Sequence, residues 1–279
     1  LLALHGYLRK PSTPLLIACG VSLGLAMAAK FSALFLLPCL GIILWVGSAE
    51  KLVGSAKTRE LLMAAIKPSV LTFLAILAIG LIVTQCLYLS VDPLRYYKDV
   101  RTMLSFHERD SPAFLMGELQ RRFVSYFAFA YLLKEPIAIV LAALAGVVTV
   151  FTAKERSTRL LFLVFPPMVW VLAHTFLADD LGIRYIIFAL PFGCLLGGSV
   201  LAGLWAERLL WKRAVAVIGF VWCLVALVGV FPDHLSYFNE VACVFSDPSK
   251  LGWDGGSKCG AEWLDDSNVD WGQSLPALK

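Results

Sequence analysis

Apolar residues in this chain fall into long runs separated by short polar stretches. Seven such runs stand out, at about 14–29, 31–47, 69–90, 136–153, 160–178, 185–206 and 214–231. A bilayer core of roughly 30 Å takes about 20 helical residues to cross. Backbone groups in lipid must be satisfied within the segment, so each run predicts a membrane-crossing helix. The first two are short and meet at Lys30, which suggests tilted or partly re-entrant helices. Pro38, Pro166, Pro167 and Pro191 predict kinks, while Gly20, Gly24, Gly193, Gly197 and Gly198 predict close helix approach. After residue 231 the pattern changes, and residues 232–279 are dense in Asp, Asn, Trp and Tyr. The expected fold is an all-α polytopic membrane protein with about seven transmembrane helices. Residues 1–231 form the helical domain, with an external loop at 91–135. Residues 232–279 begin a truncated extracytoplasmic C-terminal region.

Composition agrees with that reading. The chain is 59% apolar and only 16% charged, whereas a soluble domain is about half apolar and a quarter charged. The sequence starts at Leu1 without a signal-peptide pattern and ends at Lys279 within what reads as the first turns of a helix. Both ends are therefore read as cuts in a longer polypeptide. The net charge of +4 is dispersed among loops, which argues against nucleic acid as a partner.

Orientation follows from Lys and Arg in the connecting segments. Residues 1–13, 48–68, 154–159 and 207–213 hold 12 of the 24 Lys and Arg but only 4 of the 20 Asp and Glu. This side is assigned to the cytoplasm with the N-terminus, and the tail to the extracytoplasmic face. In the 91–135 loop, Leu94, Tyr97, Arg101 and Leu104 follow helical spacing, predicting an amphipathic helix within 93–110.

Several residues are candidates for chemistry. Lys30 is either a snorkelling cation or one placed for an anionic headgroup. Arg184, beside Asp179, Asp180 and Tyr185, is either a surface pair or a phosphate fork. His107 and Glu108 belong to a charge cluster that reads equally as a solvated face. Asn239, Glu240 and Asp270 suit sugar hydroxyls, yet they also suit turns that satisfy their own backbone. The Gly-rich stretch between the two tail clusters is expected to be flexible. Five cysteines sit in apolar runs as small hydrophobes. Cys243 and Cys259 are open to pairing if the tail faces an oxidising compartment. No Cys/His cluster or calcium-loop pattern points to a metal.

The tail carries HLSYFNE at 234–240 and DSNVDWGQ at 266–273. Together these resemble membrane glycosyltransferases of the GT-C superfamily, related to dolichyl-phosphate-mannose–protein mannosyltransferases of bacterial and archaeal type. GLAMAAKFSA at 24–33, LLKEP at 132–136, and Arg184-Tyr185 followed by Leu190-Pro191 resemble further segments of that family in the same order. Glu135 stands where the family has Thr, and the glycines that follow its tail motif are missing. The resemblance implies transfer of a sugar from a polyprenyl-phosphate donor to a lipid, glycan or protein acceptor at the outer membrane face. It implies substrate contacts from Lys30, Arg184, Tyr185, His107, Glu108, Asn239, Glu240 and Asp270. The catalytic acid expected as general base would lie upstream of Leu1, and a divalent metal stays open. Alternatives are a non-catalytic membrane scaffold or a lipid-linked glycan transporter. The transporter would want charges at the midplane rather than at the outer edges.

Overall fold

The computed structural model describes residues 1–51, 58–89, 91–106, 112–153, 156–270 and 272. It is all-α apart from one small hairpin, and it divides into two compact units, Leu1–Arg109 and Asp110–Lys279. Each is described by itself.

The first unit holds α1 (Leu2–Arg9), α2 (Thr13–Ala29), α3 (Leu36–Lys51), α4 (Thr58–Tyr88) and α5 (Arg95–Phe106), with a 3₁₀ segment, Phe31–Phe35, leading into α3. α2 lies tightly against α4. A Cβ on Gly24 would stand 2.6 Å from the Gly80 carbonyl oxygen, so glycine is required for this approach. Thr84 Oγ1 uses the closeness, donating to the Gly24 oxygen at 3.2 Å and the Gly80 oxygen at 2.9 Å. Ser69 Oγ ties α4 to α3 by donating to the Leu44 oxygen at 3.1 Å. α5 bears out the amphipathic segment expected in the loop, and its Tyr96 ring packs against Tyr88 and Phe31.

The second unit opens with a hairpin of β1 (Ala113–Leu115) and β2 (Glu118–Gln120). Met116 and Gly117, both at positive φ, make its two-residue turn, the backbone form that matches strand twist. Then come α6 (Tyr126–Lys134), α7 (Ile137–Thr152) and α8 (Arg156–Arg159). A π-helical turn, Leu160–Val164, leads into α9 (Phe165–Leu177), followed by α10 (Leu190–Ala206) and α11 (Leu210–Gly229). The axis bends by 119° between α6 and α7. Pro136, which has no N–H to donate, caps the start of α7. The expected close approach occurs between α7 and α10. A Cβ on Gly146 would meet Leu196 backbone at 2.6 Å, and Gly197 lies similarly against Ala142, whereas Gly198 has open space around it.

Among the described residues, four helical segments are long and apolar enough to cross a membrane: Phe31–Ala49, Met63–Tyr88, Leu160–Leu177 and Leu210–Gly229. The count becomes five if α6 and α7 form one broken span. The chain is thus a multi-pass membrane protein by its helices. α2 and α10 have 17 residues each and fall just short. Pro191 sits in the first turn of α10, where the missing N–H costs nothing, rather than at a kink. Pro166 and Pro167 directly follow the π-helical turn inside the helical segment Leu160–Leu177. Pro38 is the third residue of α3, and Pro68 lies inside α4.

After α11 the chain changes character. Short 3₁₀ pieces at His234–Ser236, Pro248–Lys250, Ser257–Glu262 and Asp266–Asn268, plus α12 (Val241–Val244), fold into a compact cap. Phe238 and Leu264 from the cap share one buried core with Tyr126, Phe127 and Leu133 of α6 and with Ile186. Leu115, Met116 and α6 of the expected external loop are therefore packed against the tail.

Candidate functional site

The site is built around the corner between α6 and α7. Leaving an ammonium buried without partners is expensive, yet Lys134 is only 8% exposed. Its Nζ donates to the carbonyl oxygens of Leu235 at 2.6 Å and Asn268 at 2.5 Å, and lies 4.2 Å from the Phe238 ring centroid. Charge-assisted bonds and a cation–π contact offset the burial. One side chain thus joins the LLKEP corner to both tail motifs.

Asn239 and Asn268 complete the junction, and both are fully buried. Asn239 Nδ2 donates to the oxygens of Leu132 at 2.6 Å and Glu135 at 2.8 Å, and its Oδ1 accepts from Val241 N at 3.1 Å. These carbonyls lose their helical partners where α6 ends, as any helix C-terminus does. Asn268 Nδ2 donates to Tyr126 Oη at 2.8 Å and to the Asp265 oxygen at 3.1 Å, while Oδ1 accepts from Ile183 N at 3.0 Å. Ser267 Oγ donates to the Leu181 oxygen. Gly182 has φ +131°, and a Cβ there would collide with Ser267 Oγ, so the loop after α9 can meet the tail only through glycine.

The Gly-rich stretch is not a loose connection. Gly255, at φ +67°, bridges to Phe238, and Gly256 N donates to the Phe238 oxygen at 2.9 Å. A Cβ on Gly260 would enter the Phe238 ring. Glycine serves here to bring backbone onto backbone and ring. Cys243 and Cys259 form a disulfide with their Cα atoms 5.2 Å apart.

The candidate residues are distributed as follows. Arg184 and Tyr185 lie in a 3₁₀ turn, Ile183–Ile186, whose backbone is fixed by Asn268 and by Trp170 Nε1 donating to the Tyr185 oxygen at 2.8 Å. The Arg184 guanidinium is 5.6 Å from the Tyr185 ring centroid. Asp180 is turned away from solvent and its Oδ2 accepts from Phe123 N at 2.6 Å. Burial raises its carboxyl above the ordinary range, opposed by that bond and by nearby Arg122. Glu240 Oε1 accepts from Trp222 Nε1 at 2.8 Å. Asp270 Oδ1 accepts from Gly272 N at 2.7 Å, a local turn contact. Lys30 is exposed and belongs to the first unit, where it ends α2 and begins the 3₁₀ segment. His107 and Glu108 lie outside the described residues, as does Trp271. His174 bonds the Trp170 oxygen on its own helix at 2.9 Å and stacks on Trp170 and Phe127. Among the described residues, no group of three or more His, Cys, Asp or Glu is arranged to hold a metal.

Sequence reasoning missed Tyr126, Phe123 as the partner of Asp180, and Trp222. Each acts through a partner at least 18 residues away, and nothing local in the sequence marks it. No protein-family model matches this chain, and no curated protein or solved structure matches it.

Proposed function

We propose that this chain belongs to a membrane glycosyltransferase that moves a sugar from a polyprenyl-phosphate donor to a lipid, glycan or protein acceptor. All seven apolar helices cross the bilayer, with the N-terminus cytoplasmic and the cap extracytoplasmic. The observation that carries this reading is a convergence. Residues 132–136, 183–185, 235–240 and 266–268 hold four of the segments that resemble GT-C enzymes, and they meet in one bonded cluster through Lys134, Asn239 and Asn268. The disulfide in the cap supports the orientation, because cystines persist in oxidising compartments outside the cytoplasm. A polyprenyl donor stays in the bilayer, so a site at the outer ends of helices is open to both the lipid and the aqueous acceptor. In this reading Arg184 binds the lipid phosphate through a bidentate fork.

The test is transfer of radiolabelled sugar from synthetic polyprenyl-phosphate donors by the full-length protein in liposomes. Arg184→Ala is expected to lower turnover at subsaturating donor at least about tenfold, the scale of one lost charge-assisted contact. Donor binding without transfer would turn the reading towards a scaffold. Transfer unaffected by Arg184→Ala would remove the phosphate role.

A further inference from the structure

One turn of the cap, set against the end of α11, is built rigidly and yet holds its largest side chain outside the protein. Gly252 and Gly255 exchange both backbone hydrogen bonds, at 3.2 and 3.1 Å, so Trp253 and Asp254 form a closed two-residue turn. On one side the turn lies on buried Phe238, since a Cβ on Gly255 would stand 2.7 Å from the Phe238 oxygen. On the other it lies on α11, since a Cβ on Gly229 would fall on the Trp253 carbonyl. Asp254 is half-buried and folds its carboxylate back over Gly252, where the Lys258 ammonium also lies. Trp253 is instead 81% exposed. With Val221, Leu224, Val225, Val228 and Gly229 of α11 it lines a groove of about 370 Å³.

The level of this groove follows from the helix. α11 has 20 residues, about 30 Å at about 1.5 Å per residue, which matches the thickness of a bilayer core. Its last turn, where Gly229 meets Trp253, therefore falls at the edge of the hydrocarbon, the level that tryptophan favours. Val221, Leu224, Val225 and Val228 recur at helical spacing on one exposed face. The groove thus descends about 10 Å from that edge into the core, continuous with the lipid-facing surface of the helix. Every side chain that lines it is apolar, and what surrounds a span at that depth is hydrocarbon. We propose that the Trp253 turn enters the membrane at the headgroup boundary and that a phospholipid acyl chain fills the groove between Trp253 and α11, anchoring the cap to the bilayer. The anchor rests on α11 as a membrane span and does not depend on sugar transfer.

The experiment places the photoreactive residue p-benzoylphenylalanine at position 253 of the full-length protein in palmitoyl-oleoyl-phosphatidylcholine liposomes. Adducts formed on irradiation are identified by mass spectrometry. A phospholipid adduct joined through its acyl chain is expected at position 253. The same probe at position 262, where Glu262 pairs with Lys250 at 2.9 Å on the cap surface, should give none. Val225→Trp fills the groove from the helix side, and Leu224→Trp does so from a second position. Both replace exposed residues, so the Tm in detergent should hold while most of the adduct at position 253 is lost. A lipid adduct of equal yield at position 262, an adduct at position 253 that survives both groove-filling variants, or adducts at position 253 formed with protein alone would overturn the proposal. So would the absence of any adduct there.

Discussion

Helix α11 and the cap that follows it are neighbours in sequence and opposites in construction. Of the residues in α11, only Ala216 and Ala226 are buried, and Ile218, Phe220 and Val228 are exposed. The cap, by contrast, buries Phe238, Asn239, Ala242, Cys243, Cys259, Leu264 and Asn268 completely. The difference lies in the backbone. A helix satisfies its own N–H and C=O groups, so α11 asks of its sequence little more than hydrocarbon. The cap is made of pieces three to six residues long, too short to close their own ladders. Its backbone is completed by particular side chains: Lys134, Asn239, Ser257, Trp263 and Asn268. A motif with fixed spacing is what such construction requires.

Substitutions should separate the two regions sharply. The largest effect is expected for Asn268→Ala, which takes the acceptor from Ile183 N and one hydrogen bond each from the Tyr126 hydroxyl and the Asp265 oxygen. At about 1–3 kcal/mol for the buried N–H and about 0.5–1.5 kcal/mol for each of the other two bonds, the loss should be about 2–6 kcal/mol, visible as a lower Tm in detergent and reduced yield. Next comes the double variant Cys243→Ser with Cys259→Ser. A bridge closing a loop of this size contributes about 3 kcal/mol, so dithiothreitol should lower the Tm of the parent chain but not of the variant. Gly146→Leu, at the tight crossing of α7 and α10, should cost about 1–3 kcal/mol through overpacking, read in the same melt. The smallest change is expected from Val228→Ala on the exposed face of α11, within about 0.5 kcal/mol. If Val228→Ala were as damaging as Asn268→Ala, the contrast between the two regions would fail.

The same contrast explains what could be read in advance. Apolar runs announce helices because lipid leaves few alternatives, and a helix stands at each of the seven expected places, though four or five meet the length and hydropathy of a span. Boundaries were less legible. Pro191 signals a helix start as readily as a kink, and sequence alone does not say which. The hairpin at Ala113–Gln120 was invisible, since three-residue strands carry no periodicity and the Met116-Gly117 turn is a weak signal. In the tail, Asp266–Asn268 was legible as a turn from its residue types. The stretch around Gly255 and Gly260 was misread as flexible, because a glycine needed for close approach looks the same in sequence as one that loosens a chain. Lys134 could be noticed as part of a motif, but its partners lie 101 and 134 residues further on.

That separation sets an order of events during synthesis. Lys134 leaves the ribosome long before Leu235 and Asn268 exist as partners. Until then the α6–α7 corner holds a cation with nothing to receive it, and the chain must complete four more helices, α8 to α11, before the cap is made. The corner is therefore a late-closing latch. A nascent chain stopped anywhere before Asn268 lacks at least one of the two carbonyls that hold the lysine.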